Sequence, residues 1–164
     1  MKVLDTLSKL LRNITELIIS IVLICMLTLV ILQVLFRYIL FMPLGWSEEM
    51  ARYLMTWLVF LGASIASIKG EHLAITFLLD KLPSRYRTLV IILINVIICI
   101  FLAFAIKYGF DFIDKVKDTK STALQISMAI PYLSVPVGCI LIFIQTFINL
   151  LKDTMCLFGR NVST

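Results

Sequence analysis

Charged residues in this chain are confined to short stretches between four long uncharged runs: Leu17 to Phe36, Tyr53 to Ile68, Thr88 to Ile106 and Ser121 to Leu151. A bilayer core about 30 Å thick is crossed by roughly 20 apolar residues rising about 1.5 Å each, and the first and third runs match that length. The second reaches it when Glu48 to Arg52 sit at headgroup level on the first turns of the same helix. The fourth is too long and contains Pro131 and Pro136, which predicts an irregular or interfacial entry over 121–130 before the span. The pattern therefore predicts an all-α integral membrane protein, one membrane domain over 1–164, with spans near 17–38, 48–68, 87–107 and 131–151.

A different periodicity precedes the first span. At 100° per residue, Val3, Leu4, Leu7, Leu10, Leu11 and Ile14 fall in one arc, and Lys2, Asp5, Ser8, Lys9 and Arg12 in the other. This predicts an amphipathic interfacial helix over 2–14, lying on an anionic leaflet before the chain turns into the membrane. Leu73, Ile75, Phe77, Leu78, Leu79 and Leu82, ahead of Pro83, Arg85 and Arg87, form a weaker version of the same pattern in the middle loop.

Composition agrees with the span reading. Of 164 residues, 61% are hydrophobic and 15% charged, and the mean hydropathy is +1.05, whereas soluble domains run at roughly 45–50% apolar and about 25% charged. The first run lacks the small-residue cleavage site of a secretory signal, so the first helix is expected to stay attached.

With four spans, both termini and the middle loop share a side. That side carries nine basic residues (Lys2, Lys9, Arg12, Lys69, Lys81, Arg85, Arg87, Lys152, Arg160) against six on the other (Arg37, Arg52, Lys107, Lys115, Lys117, Lys120). The positive-inside rule then places both termini in the cytoplasm.

The chemistry the runs lack narrows the function. None contains Asp, Glu, Lys, Arg or His, although carriers and pumps retain such residues near the midplane despite their cost. Thr28, Gln33, Thr56, Ser64, Asn95, Gln145 and Asn149 suit bonds between helices better than a substrate path. No metalloprotease, serine-hydrolase or phosphate-loop signature occurs, so no catalysis is expected. Cys25, Cys99, Cys139 and Cys156 have no paired spacing, and His72 alone builds neither a haem nor a metal site. No cofactor and no nucleic-acid partner is expected.

The densest polar feature is Pro43 to Tyr53. Pro43 and Gly45 predict a turn, Ser47 an N-cap, and Glu48 and Glu49 a dipole-compatible first turn. Glu48 and Arg52 are spaced to pair along the helix, and Arg37 at the end of the first helix could join them. These features, and Trp46 as a belt residue, would equally arise at an ordinary membrane boundary. The face of the second helix favours a partner: Glu48, Arg52, Met55, Val59, Gly62 and Ala66 recur on one side, and Gly62, Ala66 and Gly70 form a small-residue track open to another helix.

Arg37-Tyr38, Trp46-Ser47-Glu48-Glu49-Met50-Ala51-Arg52, Phe60-Leu61-Gly62-Ala63, Lys69-Gly70-Glu71-His72, Leu82-Pro83 and Val135-Pro136-Val137-Gly138 occur in an order that resembles the small membrane subunit of tripartite ATP-independent periplasmic (TRAP) transporters, over nearly the whole chain. The resemblance implies a multi-pass subunit of the bacterial inner membrane with two protein partners. One is a large multi-span subunit that holds the sodium and substrate sites, and the other is a periplasmic substrate-binding protein. Substrates in the family are organic acids, including C4-dicarboxylates and sialic acids, and overall similarity leans toward a sialic acid system. On this reading the chain braces the stationary part of the large subunit against an elevator-like movement. Arg37, Trp46, Glu48, Glu49, Arg52, Gly62 and Ala66 are the expected partner interface, and Lys69, Gly70, His72, Pro136 and Gly138 are expected to serve that interface or position loops. Membrane lipids complete the surroundings. The mixed charges Asp111, Asp114, Lys115, Lys117 and Asp118 read as an ordinary solvated turn, with contact to the binding protein the lesser reading. Two other classes remain open from the residues alone: an autonomous four-helix carrier working as a homo-oligomer, and a membrane anchor for a redox enzyme, which the single histidine disfavours.

Overall fold

A computed structural model describes residues 2–42, 44–68 and 84–161. They form α1 (Lys2–Tyr38), α2 (Gly45–Ile68), α3 (Ser84–Val116), α4 (Ala129–Tyr132) and α5 (Ser134–Asn161). Four stretches, Ser8–Tyr38, Gly45–Ser67, Val90–Val116 and Ala129–Leu151, are long and apolar enough to cross a bilayer. The protein is an all-α, multi-pass membrane protein. Lys69, Gly70, His72 and the amphipathic stretch from Leu73 lie outside the described residues.

Several boundaries differ from the pattern of runs. The segment 2–14 is no separate element: α1 is one helix of 37 residues, about 55 Å long at 1.5 Å per residue, and no turn separates its amphipathic start from the span. Propagating a helix is far cheaper than nucleating one, and neither Pro nor Gly interrupts 2–38. α3 likewise runs on to Val116, straight through Gly109, so Asp111, Asp114 and Lys115 lie on exposed helical turns and not in a loop. An exposed ion pair, Lys117 Nζ to Asp114 Oδ1 at 3.8 Å, sits at its end.

The main contacts run from α1 to α2, from α2 to α5 and from α5 to α3, so the long helices stand in a row with α5 beside both α2 and α3. The packing is inverted relative to a soluble protein. Ser8, Thr15, Ser47, Ser64, Ser67, Asn95, Ser134, Gln145 and Thr146 are buried, while Leu17, Ile24, Ile31, Leu93, Ile97 and Phe101 are exposed. In lipid no hydrophobic force drives helix association, and small polar residues allow close approach and cross-helix bonds. Ser8 Oγ donates to Gln145 Oε1 at 3.1 Å, joining α1 to α5. Two other buried hydroxyls bond within their own helix, Thr15 to the Leu11 carbonyl at 2.8 Å and Ser64 to the Leu61 carbonyl at 2.7 Å.

Pro136 and Gly138 set how tightly α5 docks. Pro136 is fully buried, and a Cβ added at Gly109 of α3 would meet its ring at 3.5 Å. A Cβ at Gly138 would lie 2.6 Å from Phe60 Cβ and 3.1 Å from the Phe60 carbonyl oxygen, so α2 and α5 touch nearly backbone to backbone. Both residues, expected to serve a partner or position loops, are used here in packing within the chain.

Between α3 and α4 the chain makes a small hairpin. Ser121 N–H donates to the Ile126 carbonyl at 2.8 Å and Met128 N–H to the Thr119 carbonyl at 2.9 Å. Lys120 and Ser127 pair in antiparallel fashion, and Gln125 takes a positive φ of 55° at the tip. Ser127 Oγ ties the hairpin to the end of α3 by donating to the Lys117 carbonyl at 2.6 Å. Edge-to-face contact of Phe112 with Tyr132, centroids 5.0 Å apart, holds α4 against α3.

Candidate functional site

The polar stretch at the start of α2 divides into an inward and an outward set. The helix begins at Gly45, so Ser47 lies inside the first turn and is not the N-cap. Its hydroxyl, fully buried, donates back to the Leu44 carbonyl at 2.7 Å. Successive residues on a helix point about 100° apart, and the neighbouring acids accordingly part company: Glu48 is exposed and Glu49 is 3% exposed.

Glu49 reaches into the hairpin tip. Its Oε2 accepts from the Ala123 N–H at 2.8 Å and the Leu124 N–H at 3.2 Å, two consecutive backbone donors ahead of the left-handed Gln125, the arrangement of a backbone anion nest. Its Oε1 accepts from the Tyr53 hydroxyl one turn along α2, and Met128 Sδ lies 3.5 Å from the same hydroxyl. Three donors on one acceptor-only carboxylate offset the cost of burying it. Ser121, also buried beside this carboxylate, has its hydroxyl outside hydrogen-bond geometry. The acid thus fastens the hairpin, 74 residues away in sequence, to the start of α2.

Trp46, 41% exposed, lies about 200° around the helix from Glu48; the outward set is Glu48, Arg52, Met55, Val59 and Ala66, all exposed. These positions lie on one stripe of α2 that neither α1 nor α5 covers. Gly62 borders the stripe, and a Cβ placed there would meet nothing within 4 Å. Among the described residues, Glu48 and Arg52 form no ion pair with each other. Arg37 is exposed at the end of α1, with its guanidinium 5.8 Å from the Tyr38 ring centre, and it does not join them. The spacing thus brings Glu48, Arg52, Gly62 and Ala66 to one surface, and the structure withdraws Glu49 from it. Tyr53 was legible at i+4 from Glu49, whereas nothing local announced Ala123 and Leu124.

A groove of about 490 Å³ opens beside this clamp, between α2, the hairpin and α4–α5, with Arg52, Thr56 and Phe60 along one wall and Tyr132 and Val135 on the other. No group of three or more metal-ligating side chains occurs among the described residues.

Fold and site together define a small, helical, multi-pass membrane protein whose buried acid Glu49 fastens its own loop and whose second helix keeps an open stripe. Residues 26–155 match the family described as tripartite ATP-independent periplasmic transporters, DctQ component, and the chain belongs to that family. It is a transporter component and not an enzyme. It is 29% identical over 152 residues to the sialic acid TRAP transporter small permease protein SiaQ of Vibrio cholerae, covering 91% of this chain and 88% of that protein. Two longer relatives match in part. The sialic acid TRAP transporter permease protein SiaT of Haemophilus influenzae is 39% identical over 48% of this chain and 14% of its own length. The isethionate TRAP transporter permease protein DctMQ of Oleidesulfovibrio alaskensis is 32% identical over 65% of this chain and 18% of its own.

Proposed function

We propose that the chain is the accessory scaffold of a sodium-coupled, binding-protein-dependent secondary transporter for an organic acid, docked along the α2 stripe against a large multi-span permease subunit. The observation that carries this reading is the stripe itself: α2 is packed on both flanks, yet Glu48, Arg52, Met55, Val59 and Ala66 stay uncovered and Gly62 has open space before it. Small residues let a partner backbone approach, and the charges at the stripe's end set its register. The partial matches support a large permease as the partner, since a segment similar to this chain makes up only 14% or 18% of those two relatives and is covalently joined to the rest.

Glu49 contributes from within, by holding the hairpin beside the stripe, while Trp46 and Arg37 sit at the same end of the row. Lys69, Gly70 and His72 belong to the connection after α2 and would order its approach to the partner. A sialic acid is the substrate favoured by the name of the relative matching over most of its length, with a C4-dicarboxylate the neighbouring choice. The balance of basic residues supports both termini in the cytoplasm of a bacterial inner membrane, with the hairpin on the periplasmic side, within reach of a substrate-binding protein.

Tagged chain purified in mild detergent from its native host tests the reading. One large multi-span protein should be recovered in equal amount, and Gly62→Leu with Ala66→Leu should reduce its recovery while the variant chain keeps its helical content. Recovery of a homo-oligomer alone would overturn it in favour of an autonomous carrier.

A further inference from the structure

The groove beside the clamp has a polarity gradient along its length. Arg52, Thr56 and Phe60 succeed one another at i, i+4 and i+8 down one wall, so the lining passes from a guanidinium through a hydroxyl to an aromatic ring. Thr122 and Met128 of the hairpin border the polar end, and Pro131 and Val135 line the opposite side. Phe60 lies about 22 Å below the start of α2 at 1.5 Å per residue, well inside the hydrocarbon region if Gly45 stands at the headgroups. The groove thus begins at a membrane surface and runs into the bilayer between two helices that enter from the same side.

Arg52 stands at the edge of the α2 stripe and also lines the groove. It is a cation within a membrane-spanning helix, exposed, and among the described residues it forms no ion pair. Such a group is expensive in a bilayer unless a counter-charge meets it. Glu49 on the same lining does not serve, since its oxygens are taken up by Tyr53, Ala123 and Leu124. We infer that the groove between α2 and α4–α5 is a phospholipid-binding site, with the headgroup phosphate on Arg52 and an acyl chain lying past Thr56 onto Phe60 and Val135. A guanidinium matches phosphate oxygens in a bidentate fork, and about 490 Å³ falls within the usual range of roughly 300–1,000 Å³ for small-molecule pockets. One cation beside Glu48 and Glu49 favours a zwitterionic headgroup, phosphatidylethanolamine, over a net-anionic one, because the neighbouring carboxylates repel surplus negative charge.

The test uses the full chain, with whatever membrane partner co-purifies, delipidated in mild detergent and titrated with phosphatidylethanolamine or phosphatidylglycerol under native mass spectrometry. Expected is one tightly retained phosphatidylethanolamine per chain, bound about tenfold better than phosphatidylglycerol, a modest electrostatic preference. Arg52→Gln, which removes the cation, and Thr56→Trp, which fills the groove without altering charge, should each lower that affinity by about tenfold or more. Retention unchanged in both variants would overturn the proposal, as would binding of glycerophosphoethanolamine as tight as that of the intact lipid. A photo-crosslinker at position 56 in native membranes should capture lipid, and capture of a partner protein there would give the groove to that protein instead. Lipid count and partner recovery are read separately, so this site and the scaffold reading can fail independently.

Discussion

Replacing Glu49 tests whether a buried carboxylate holds the hairpin in place. In Glu49→Ala all three donors lose their acceptor. The Tyr53 hydroxyl can turn toward Met128 Sδ, 3.5 Å away, but the N–H groups of exposed Ala123 and half-buried Leu124, bonded to Oε2 at 2.8 and 3.2 Å, lose a charged acceptor. A hydrogen bond to a charged group contributes about 1.5–3 kcal/mol and water at these partly exposed positions recovers some of it, so the two together cost about 2–4 kcal/mol, and the hairpin should open before the helices separate. In Glu49→Gln the amide oxygen can take the Oε2 position while its NH₂ donates to the Tyr53 oxygen. Every bond then survives without charge assistance, and the loss falls to about 1–3 kcal/mol. Amide hydrogen exchange over 119–128 in detergent reads the difference directly, since each 1.4 kcal/mol is about tenfold in the opening equilibrium. Exchange at Ala123 and Leu124 should accelerate by about thirtyfold or more in Glu49→Ala and by less in Glu49→Gln, with the helix cores unchanged. Unaltered exchange at those two amides in Glu49→Ala would refute the clamp.

Gly138 and Gly62 should respond oppositely to an added methyl. Gly138→Ala places a Cβ 2.6 Å from Phe60 Cβ and 3.1 Å from its carbonyl; these are atoms that Phe60→Ala would retain, so that second change should not rescue a thermal-unfolding loss of about 1–3 kcal/mol. Gly62→Ala meets nothing within 4 Å and should stabilise the isolated chain by up to about 1 kcal/mol through helix propensity; a loss as large as that of Gly138→Ala would contradict the open stripe. Gln145→Leu removes the Ser8 contact at 3.1 Å and should cost about 0.6–2 kcal/mol, seen as loosening of α1 from α5 in cysteine accessibility near Ser8.

How the acids divide illustrates what spacing can resolve. Glu48 and Glu49 are both sound first-turn acids, and helix geometry says only that they face different ways. Which one turns inward depends on where residues 121–124 arrive, a contact 74 residues distant. Gly62, on the expected small-residue track, and Gly138, expected to serve the interface or position loops, took their actual roles only once α5 was placed against Phe60 and the stripe beside Gly62 was left bare. The expected pairing of Glu48 with Arg52 failed for a related reason, since two exposed side chains gain little from an ion pair and lose rotamer freedom in making it.

The sequence by itself determined that this is a helical membrane protein, because the cost of leaving backbone polar groups unpaired in lipid lets uncharged runs of this length be little else. It also determined the family, through motifs in order along nearly the whole chain. It could not fix that α1 runs unbroken from Lys2 or that α3 continues to Val116, because a helix once nucleated propagates into polar turns at little cost. Only the tertiary structure decided the row order of the helices, the inward turn of Glu49 and that Arg52 forms no ion pair among the described residues. Those depend on contacts between residues far apart in the chain, and in lipid they rest on shape and hydrogen bonding, which no local pattern of hydrophobicity records.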